Sequence, residues 1–231
     1  MEVVNVPRKI KRFDHKYYGK NKYERKTLYR HGREVVKPIE RSDFDEMIRL
    51  CLVKRDKAKS KSTYYQWYRN YVILMVGVNT GNRITTILEQ IPRDYAGGKY
   101  TVTEHKTMKR QQFTLNDKVY QIIKKYIDTF DIGLNEFMFQ TSRSKNLPMT
   151  RENCWKFIKQ LAKEAGIEYP IACHSLRKSY GRWKWDETRD LLLVQSLLMH
   201  SSAEETMRYI CLEPNEVDEA RSQIAYITKY E

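Results

Sequence analysis

The run Tyr71-Val-Ile-Leu-Met-Val76 is an almost unbroken block of apolar side chains. A bilayer span needs about 20 such residues, so this block is far too short to cross one and must instead be buried inside protein. It fits the end of a central helix over about 63–78, stopped at Asn79-Thr80-Gly81, where glycine can take a left-handed cap. A further helix then begins with Arg83 in its first turn. Ahead of the central helix, Ser42 and Asp45 have capping-box spacing, and Phe44, Met47, Ile48, Cys51 and Leu52 form one apolar helical face. A lysine-rich loop over 54–61 joins the two helices.

Downstream, Asp94 to Gly98 predicts a turn, after which Tyr100, Val102 and Glu104 alternate with Thr101, Thr103 and His105. Residues 111–115 return as a second strand, giving a hairpin. Asn116 or Asp117 caps a helix to about Phe130 with Val119, Ile122, Ile123, Tyr126 and Ile127 inward. A polar loop over 141–148 precedes a helix from Thr150 that bears Trp155, Ile158, Leu161 and Ala162 and closes at Gly166. Residues 174–185 and 187–199 read as two more helices, and Leu191 to Val194 with Leu197-Leu198 is too apolar for a surface. Ser202 and Glu205 open a short helix carrying Tyr209, and Asn215 caps a last one with Val217, Ala220, Ile224 and Ile227 on one face. The fold class is therefore mostly α with a small antiparallel β-hairpin (α+β), as one domain over 38–231. Residues 1–37 form a basic arm, and Lys37-Pro38-Ile39 is its hinge.

Charge narrows the partners. Lys and Arg number 43 against 29 acidic residues, a formal net charge of +14, with 17 tyrosines interleaved. That balance calls for a polyanion, and cations among aromatic rings suit a nucleic acid of either kind. In the arm, Lys9, Lys11 and Arg12 are candidate contacts to a DNA backbone, against the plainer alternative of a solvated tail. A mean hydropathy of −0.74 and the absence of a long apolar run argue against a membrane span, so a cytoplasmic, nucleoid-associated protein is expected. Cys51, Cys154, Cys173 and Cys211 are scattered without a C-x-x-C pair, which argues against a zinc site or a disulfide framework. No metal and no cofactor are expected.

The chemistry concentrates between Cys173 and Ile210. His174, Arg177, His200 and Tyr209 together supply groups that bind anionic oxygens, move a proton near neutral pH and attack phosphorus. Any one of them alone is more often a core or surface residue. Their order and spacing, H-S-L-R at 174–177, L-M-H at 198–200 and M-R-Y at 207–209, resemble the tyrosine recombinase (phage integrase) family. Thr80-Gly-Asn-Arg83 resembles that family's T-G-x-R element, and His105-Lys106-Thr107 its hairpin lysine, with Lys109 as the rival.

The resemblance implies a site-specific DNA recombinase in which Tyr209 forms a 3′-phosphotyrosyl bond and frees a 5′-hydroxyl. Arg83 and Arg177 would hold the phosphate, His174 and His200 would assist, and Lys106 would protonate the leaving oxygen. It also implies major-groove contacts near Arg151, Lys156 and Lys159, and a homo-oligomer on double-stranded DNA, dimer to tetramer, joined by the C-terminal helix. A DNA-bending accessory protein is a possible partner. Two positions depart from the family pattern: Thr86 replaces a carboxylate, and Met199 replaces the glycine before the second histidine. The resemblance spans about residue 38 to the end and is nearest the compact, catalytic-domain-only members, fimbrial-type invertases included. Tyr180 and Tyr226 are rival nucleophiles. The rival functions are a type IB topoisomerase-like enzyme, a non-catalytic DNA-binding regulator and a ribosome-associated basic protein.

Overall fold

A helix buried on nearly every side organises the chain. In the computed structural model, which describes residues 29–30, 33–103, 110–141 and 144–210, the helix α2 runs from Lys61 to Thr80. Lys9, Lys11, Arg12, Lys106, Lys109, Tyr226 and the helix expected from Asn215 lie outside the described residues. Ser60 caps α2, its hydroxyl accepting from the Thr63 N–H at 3.1 Å, a bond of the kind that contributes about 1 kcal/mol. Val72, Ile73, Leu74 and Val76 are fully buried, so the apolar run does form the centre of the core. Each such side chain stabilises the fold by roughly 1.5–3 kcal/mol.

The preceding helix α1 (Arg41–Asp56) begins one residue before Ser42, which does not cap it. Glu40 stands at the N-cap without a side-chain bond, and a tertiary contact does the work instead. The Tyr169 hydroxyl accepts the Glu40 N–H at 2.9 Å and donates to the Asp43 carboxylate at 2.6 Å. The expected hinge is also fastened. Lys37 N–H donates to the Pro170 carbonyl (2.9 Å), the buried Ile39 N–H to Ser179 Oγ (2.8 Å), and the Trp183 indole N–H to the Ile39 carbonyl (3.2 Å).

Backbone pairing joins β1 (Tyr29–Arg30) to β2 (Arg33–Glu34). After α3 (Ile84–Leu88) and a 3-10 segment (Pro92–Gly98), β3 (Lys99–Thr103) pairs antiparallel with β4 (Arg110–Thr114), from Lys99 opposite Thr114 to Thr103 opposite Arg110. The alternation of Tyr100 and Val102 puts both inside. Asn116 caps α4 (Asp117–Phe130), which buries Val119, Ile123 and Tyr126.

The polar loop expected over 141–148 is instead a short hairpin, β5 (Gln140–Thr141) with β6 (Ser144–Pro148). Tertiary contacts hold it where side-chain patterning gives no sign: the Met149 N–H donates to the Phe139 carbonyl (2.6 Å), and Arg69 Nη1 to the Gln140 carbonyl (2.6 Å). Thr150 caps α5 (Arg151–Glu164), which buries Ile158 and Leu161 but leaves Trp155 46% exposed.

The last three described helices are α6 (Cys173–Thr188), α7 (Leu191–Leu198) and α8 (Ala203–Ile210). The helix expected over 187–199 is shortened because Arg189 takes a left-handed conformation and Asp190 caps a new start, accepting from the Leu193 N–H at 2.9 Å. Eight residues present one face inward, with Val194 and Leu198 buried, so Leu192 (73%) and Leu193 (40%) are exposed, contrary to expectation. As expected, the Ser202 hydroxyl accepts from the Glu205 N–H, at 3.1 Å, at the start of α8. Tyr180, Val194, Leu198 and Ile210 form a small cluster of their own, beside the main core around α2.

Candidate active site

The end of α2 is where the site begins. Gly81 closes this helix at φ +65°, and a Cβ there would sit 2.3 Å from Tyr180 Cδ1, so only glycine fits. Its carbonyl accepts from Arg177 Nη1 at 2.7 Å, while Arg177 Nη2 donates to the Leu198 carbonyl at 2.6 Å. One buried guanidinium thus joins α6 to the C-terminal ends of α2 and α7, where the peptide dipoles favour a cation. Arg83 follows Gly81 by two residues, half-buried at the start of α3.

Tyr209 arrives from the opposite side on α8. Its hydroxyl is hydrogen-bonded to Nε2 of His174, with ring centroids 5.1 Å apart. The His200 ring lies 4.4 Å from the Tyr209 ring, the Arg177 Cζ 5.7 Å and the Lys178 Nζ 5.9 Å. His200 is held by its Nδ1, 3.1 Å from Thr206 Oγ1, and its buried Nε2 makes no hydrogen bond to the protein. Buried polar atoms are rarely left so, and the Glu205 carboxylate lies 3.9 Å from this one, beyond hydrogen-bond distance.

The cations set the protonation states. Desolvation and then the charges of Lys178, Arg177, Arg83 and Arg151 push His174 down to about 4. The ring keeps an exposed edge, so the four cations are the firmer part of that cause. Burial, with Arg177 and Arg83 and against Glu205, likewise brings His200 down to about 4. Both imidazoles are therefore neutral at pH 7. Burial raises the Tyr209 phenol above its ordinary value, and Arg177 and Arg83 oppose the rise. A neutral His174 accepting at Nε2 carries its own proton on Nδ1.

Arg83, His174, Arg177, His200 and Tyr209 are brought together as one cluster. Arg151 is exposed at the start of α5, near enough for its charge to act on His174, whereas Lys156 and Lys159 are exposed farther along that helix. Tyr180 is packed against Gly81 with its phenol pushed up by burial, which suits a structural role. Lys178, Thr206 and the Gly81 carbonyl were not singled out from the sequence. Only Lys178 left a trace there, as a cation next to Arg177.

The β3–β4 hairpin is anchored to the same loop. Asn82 Nδ2 donates to the Tyr100 phenol at 2.5 Å, the Gln90 amide donates to it as well, and the Tyr95 hydroxyl donates to Gln90 Oε1. Thr86, at the position of the family carboxylate, is buried on α3. Met199 adopts φ +53°, so the backbone keeps the left-handed form that the family's glycine would take more easily.

Among the described residues no group of three or more His, Cys, Asp or Glu could hold a metal ion, and no helix is long and apolar enough to cross a membrane. A cavity of about 800 Å³, lined by Tyr64, Tyr65, Phe130 and Lys61, lies at the N-terminal end of α2. The length of that helix, about 30 Å, separates it from the cluster.

Residues 43–216 match the family model described as the phage integrase family. A Bacillus subtilis protein named probable integrase/recombinase YoeC is 28% identical over 193 residues, covering 83% of this chain and 96% of the relative. Tyrosine recombinase XerD of Listeria monocytogenes serotype 4b is 26% identical over 183 residues, covering 76% of this chain and 61% of its own length. The fold is similar to the crystal structure of XerA recombinase (TM-score 0.65, 18% identity, 83% of this chain and 66% of that one). It is similar also to the XerH site-specific recombinase bound to palindromic difH substrate in a post-cleavage complex (TM-score 0.64, 20% identity, 85% and 56%).

Proposed function

This chain belongs to the phage integrase family, and on that premise we propose that it cuts and rejoins double-stranded DNA at a specific site, with Tyr209 as the nucleophile. The phenol attacks a scissile phosphorus, forms a 3′-phosphotyrosyl bond and releases a 5′-hydroxyl. His174 Nε2, already bonded to the Tyr209 hydroxyl, takes the phenolic proton. Two of the Arg177 donors are committed to backbone carbonyls, so it acts by fixed charge and by placing Gly81, and Arg83 two residues on meets the nonbridging oxygens. The Thr206 hydroxyl donates to the Ser202 carbonyl at 3.2 Å and so accepts from His200 Nδ1. A second proton taken up on Nε2 beside the bound phosphate lets His200 donate to one of its oxygens.

Lys106, or Lys109, protonates the departing 5′-oxygen from the β3–β4 hairpin. The phosphotyrosine retains the energy of the broken bond, so a 5′-hydroxyl from a second strand can reverse the attack and join the exchanged ends. Exchange between two duplexes needs four such centres, which favours a tetramer built from dimers, with the C-terminal helix as the connection. Lys9, Lys11, Arg12, Arg151, Lys156 and Lys159 would contact the duplex, and the site would work where DNA is, in the nucleoid. A basic surface of this size supports steep salt dependence of binding.

The observation that carries this reading is the Tyr209 hydroxyl seated on a neutral His174 beside two guanidiniums. The test is a nicked suicide substrate carrying the cognate site. The wild-type protein should trap a covalent protein–DNA adduct and Tyr209→Phe none. An adduct that survives in Tyr209→Phe overturns the assignment.

A further inference from the structure

We propose that Lys178 is a positioning residue for strand cleavage: its buried ammonium, over the Tyr209 ring and one helical turn past His174, keeps that histidine a proton acceptor while DNA is bound. Lys178 belongs to the stretch of α6 from Ser175 to Gly181, in which every residue is buried. Its Nζ lies 5.9 Å from the centre of the Tyr209 ring. The hydroxyl of that same ring is bonded to His174 Nε2, and the two ring centroids are 5.1 Å apart. Positions 174 and 178 are four apart on one helix, so their side chains share a face. Lysine is among the residues least often buried, because its ammonium gives up strong hydration. Here it is drawn in beside a second buried cation, Arg177, and next to the reacting phenol.

DNA itself creates the need for such a charge. A phosphodiester entering the site brings negative charge, which favours the protonated form of any imidazole close by. That suits His200, which needs a second proton to donate. It works against His174, which must be neutral at Nε2 to accept from Tyr209. Arg83 meets the phosphate in the reaction proposed above, so its charge is shared with the ligand. Lys178 stands on the helix of His174 itself, and its burial limits screening by salt.

Other charges also face His174. They are Arg177 on α6, Arg83 at the start of α3 and Arg151 at the start of α5, where Glu152 acts on the adjacent Cys173. Tyr209 comes from α8 with His200 4.4 Å from its ring, and Glu205 and Arg208 of α8 act on His200. Burial and then, first among the cations, Lys178 depress His174. The consequence for cleavage rests on the function proposed above; the hold on His174 does not, and it can be read without DNA.

The test compares full-length wild type, Lys178→Met and Lys178→Arg. The imidazole C–H signal of His174 is identified by its loss in His174→Gln and followed by NMR as pH is lowered. Single-turnover adduct formation on the suicide substrate is measured over the same range. In Lys178→Met the His174 midpoint should rise by about one pH unit or more, and the acid limb of adduct formation should rise with it. The deficit of this variant should narrow as pH increases. Lys178→Arg keeps the charge and should bring both midpoint and limb back to the wild-type position. Thermal unfolding checks that each variant is folded; if Lys178→Met is not, Lys178→Gln carries the same comparison. An unmoved midpoint, a midpoint that moves without the limb, an equal loss of cleavage at every pH, or a Lys178→Arg midpoint as high as that of Lys178→Met would each overturn the proposal. A shifted midpoint in a protein whose wild type forms no adduct would count against the recombinase reading alone.

Discussion

Arg177 holds the carbonyl of Gly81 at 2.7 Å across 96 residues of sequence, two residues before Arg83. The loop between them has no other freedom to spare: Gly81 has φ +65° and Tyr180 is packed against its α-carbon.

Gly81→Ala should therefore damage both stability and cleavage. A left-handed alanine costs about 1–2 kcal/mol, and the clash with the Tyr180 ring adds roughly 1–3 more. At about 2–4 °C per kcal/mol for a domain of this size, the melting temperature should fall by roughly 5–15 °C. Gly97 shares φ +65° but has open space around its α-carbon, so Gly97→Ala should show only the first part of the loss. Thermal unfolding of both variants, side by side, makes the comparison.

His174→Gln removes the proton acceptor while keeping a polar side chain of similar reach. Adduct formation should slow by about 10²–10⁴, the usual worth of a positioned base. The residual rate should rise with pH as the Tyr209 phenol, raised by burial, is ionised by solvent instead. In the wild type, His174 lies near 4, so the rate should show no histidine limb between pH 6 and 8. Single-turnover rates against pH check both statements.

Buried neutral His200 makes folding depend on acid. Its folded value of about 4 lies below the 6.5 of an unfolded chain, so over that window the unfolded state binds more protons. Stability from this group is fully present above pH 6.5 and is lost progressively toward pH 4. Between pH 7 and pH 5 the loss is on the order of 2 kcal/mol. Urea denaturation at the two pH values should show a smaller difference in His200→Gln than in the wild type.

Met199→Gly should stabilise the protein. Met199 occupies φ +53°, where a side chain costs about 1–2 kcal/mol and glycine costs almost nothing. Its side chain is half-buried, and losing that contact returns part of the gain, so the expected rise in melting temperature is about 2–3 °C. An unchanged or lower melting temperature would mean that the methionine packs better than its backbone suffers.

The cluster was legible because the order and spacing of H-S-L-R, L-M-H and M-R-Y, with T-G-N-R at 80–83, resemble the tyrosine recombinase family. The run Tyr71 to Val76 marks α2, and Gly81 marks where it stops; Arg83 follows from there. What stayed hidden depends on partners distant in the chain. Ser42 has the form of a cap, yet Tyr169, 129 residues beyond Glu40, fixes the start of α1 instead. The β5–β6 hairpin has no alternating pattern, because Arg69 and the Phe139 carbonyl hold it from outside. Leu192 and Leu193 misled because apolar character alone does not say which side of an eight-residue helix faces inward. Lys178 lies next to Arg177 in the sequence, but its nearness to the Tyr209 ring comes from the packing of α6 against α8.

Tyr209 is borne by a small cluster, Tyr180, Val194, Leu198 and Ile210, that stands beside the main core. In the reaction proposed above, the Tyr209 phenol becomes tethered to a moving duplex and transmits pull to whatever carries it. Here that load would fall first on α7 and α8, helices of eight residues each, and pass through Tyr180 into α6 and the main body of the protein.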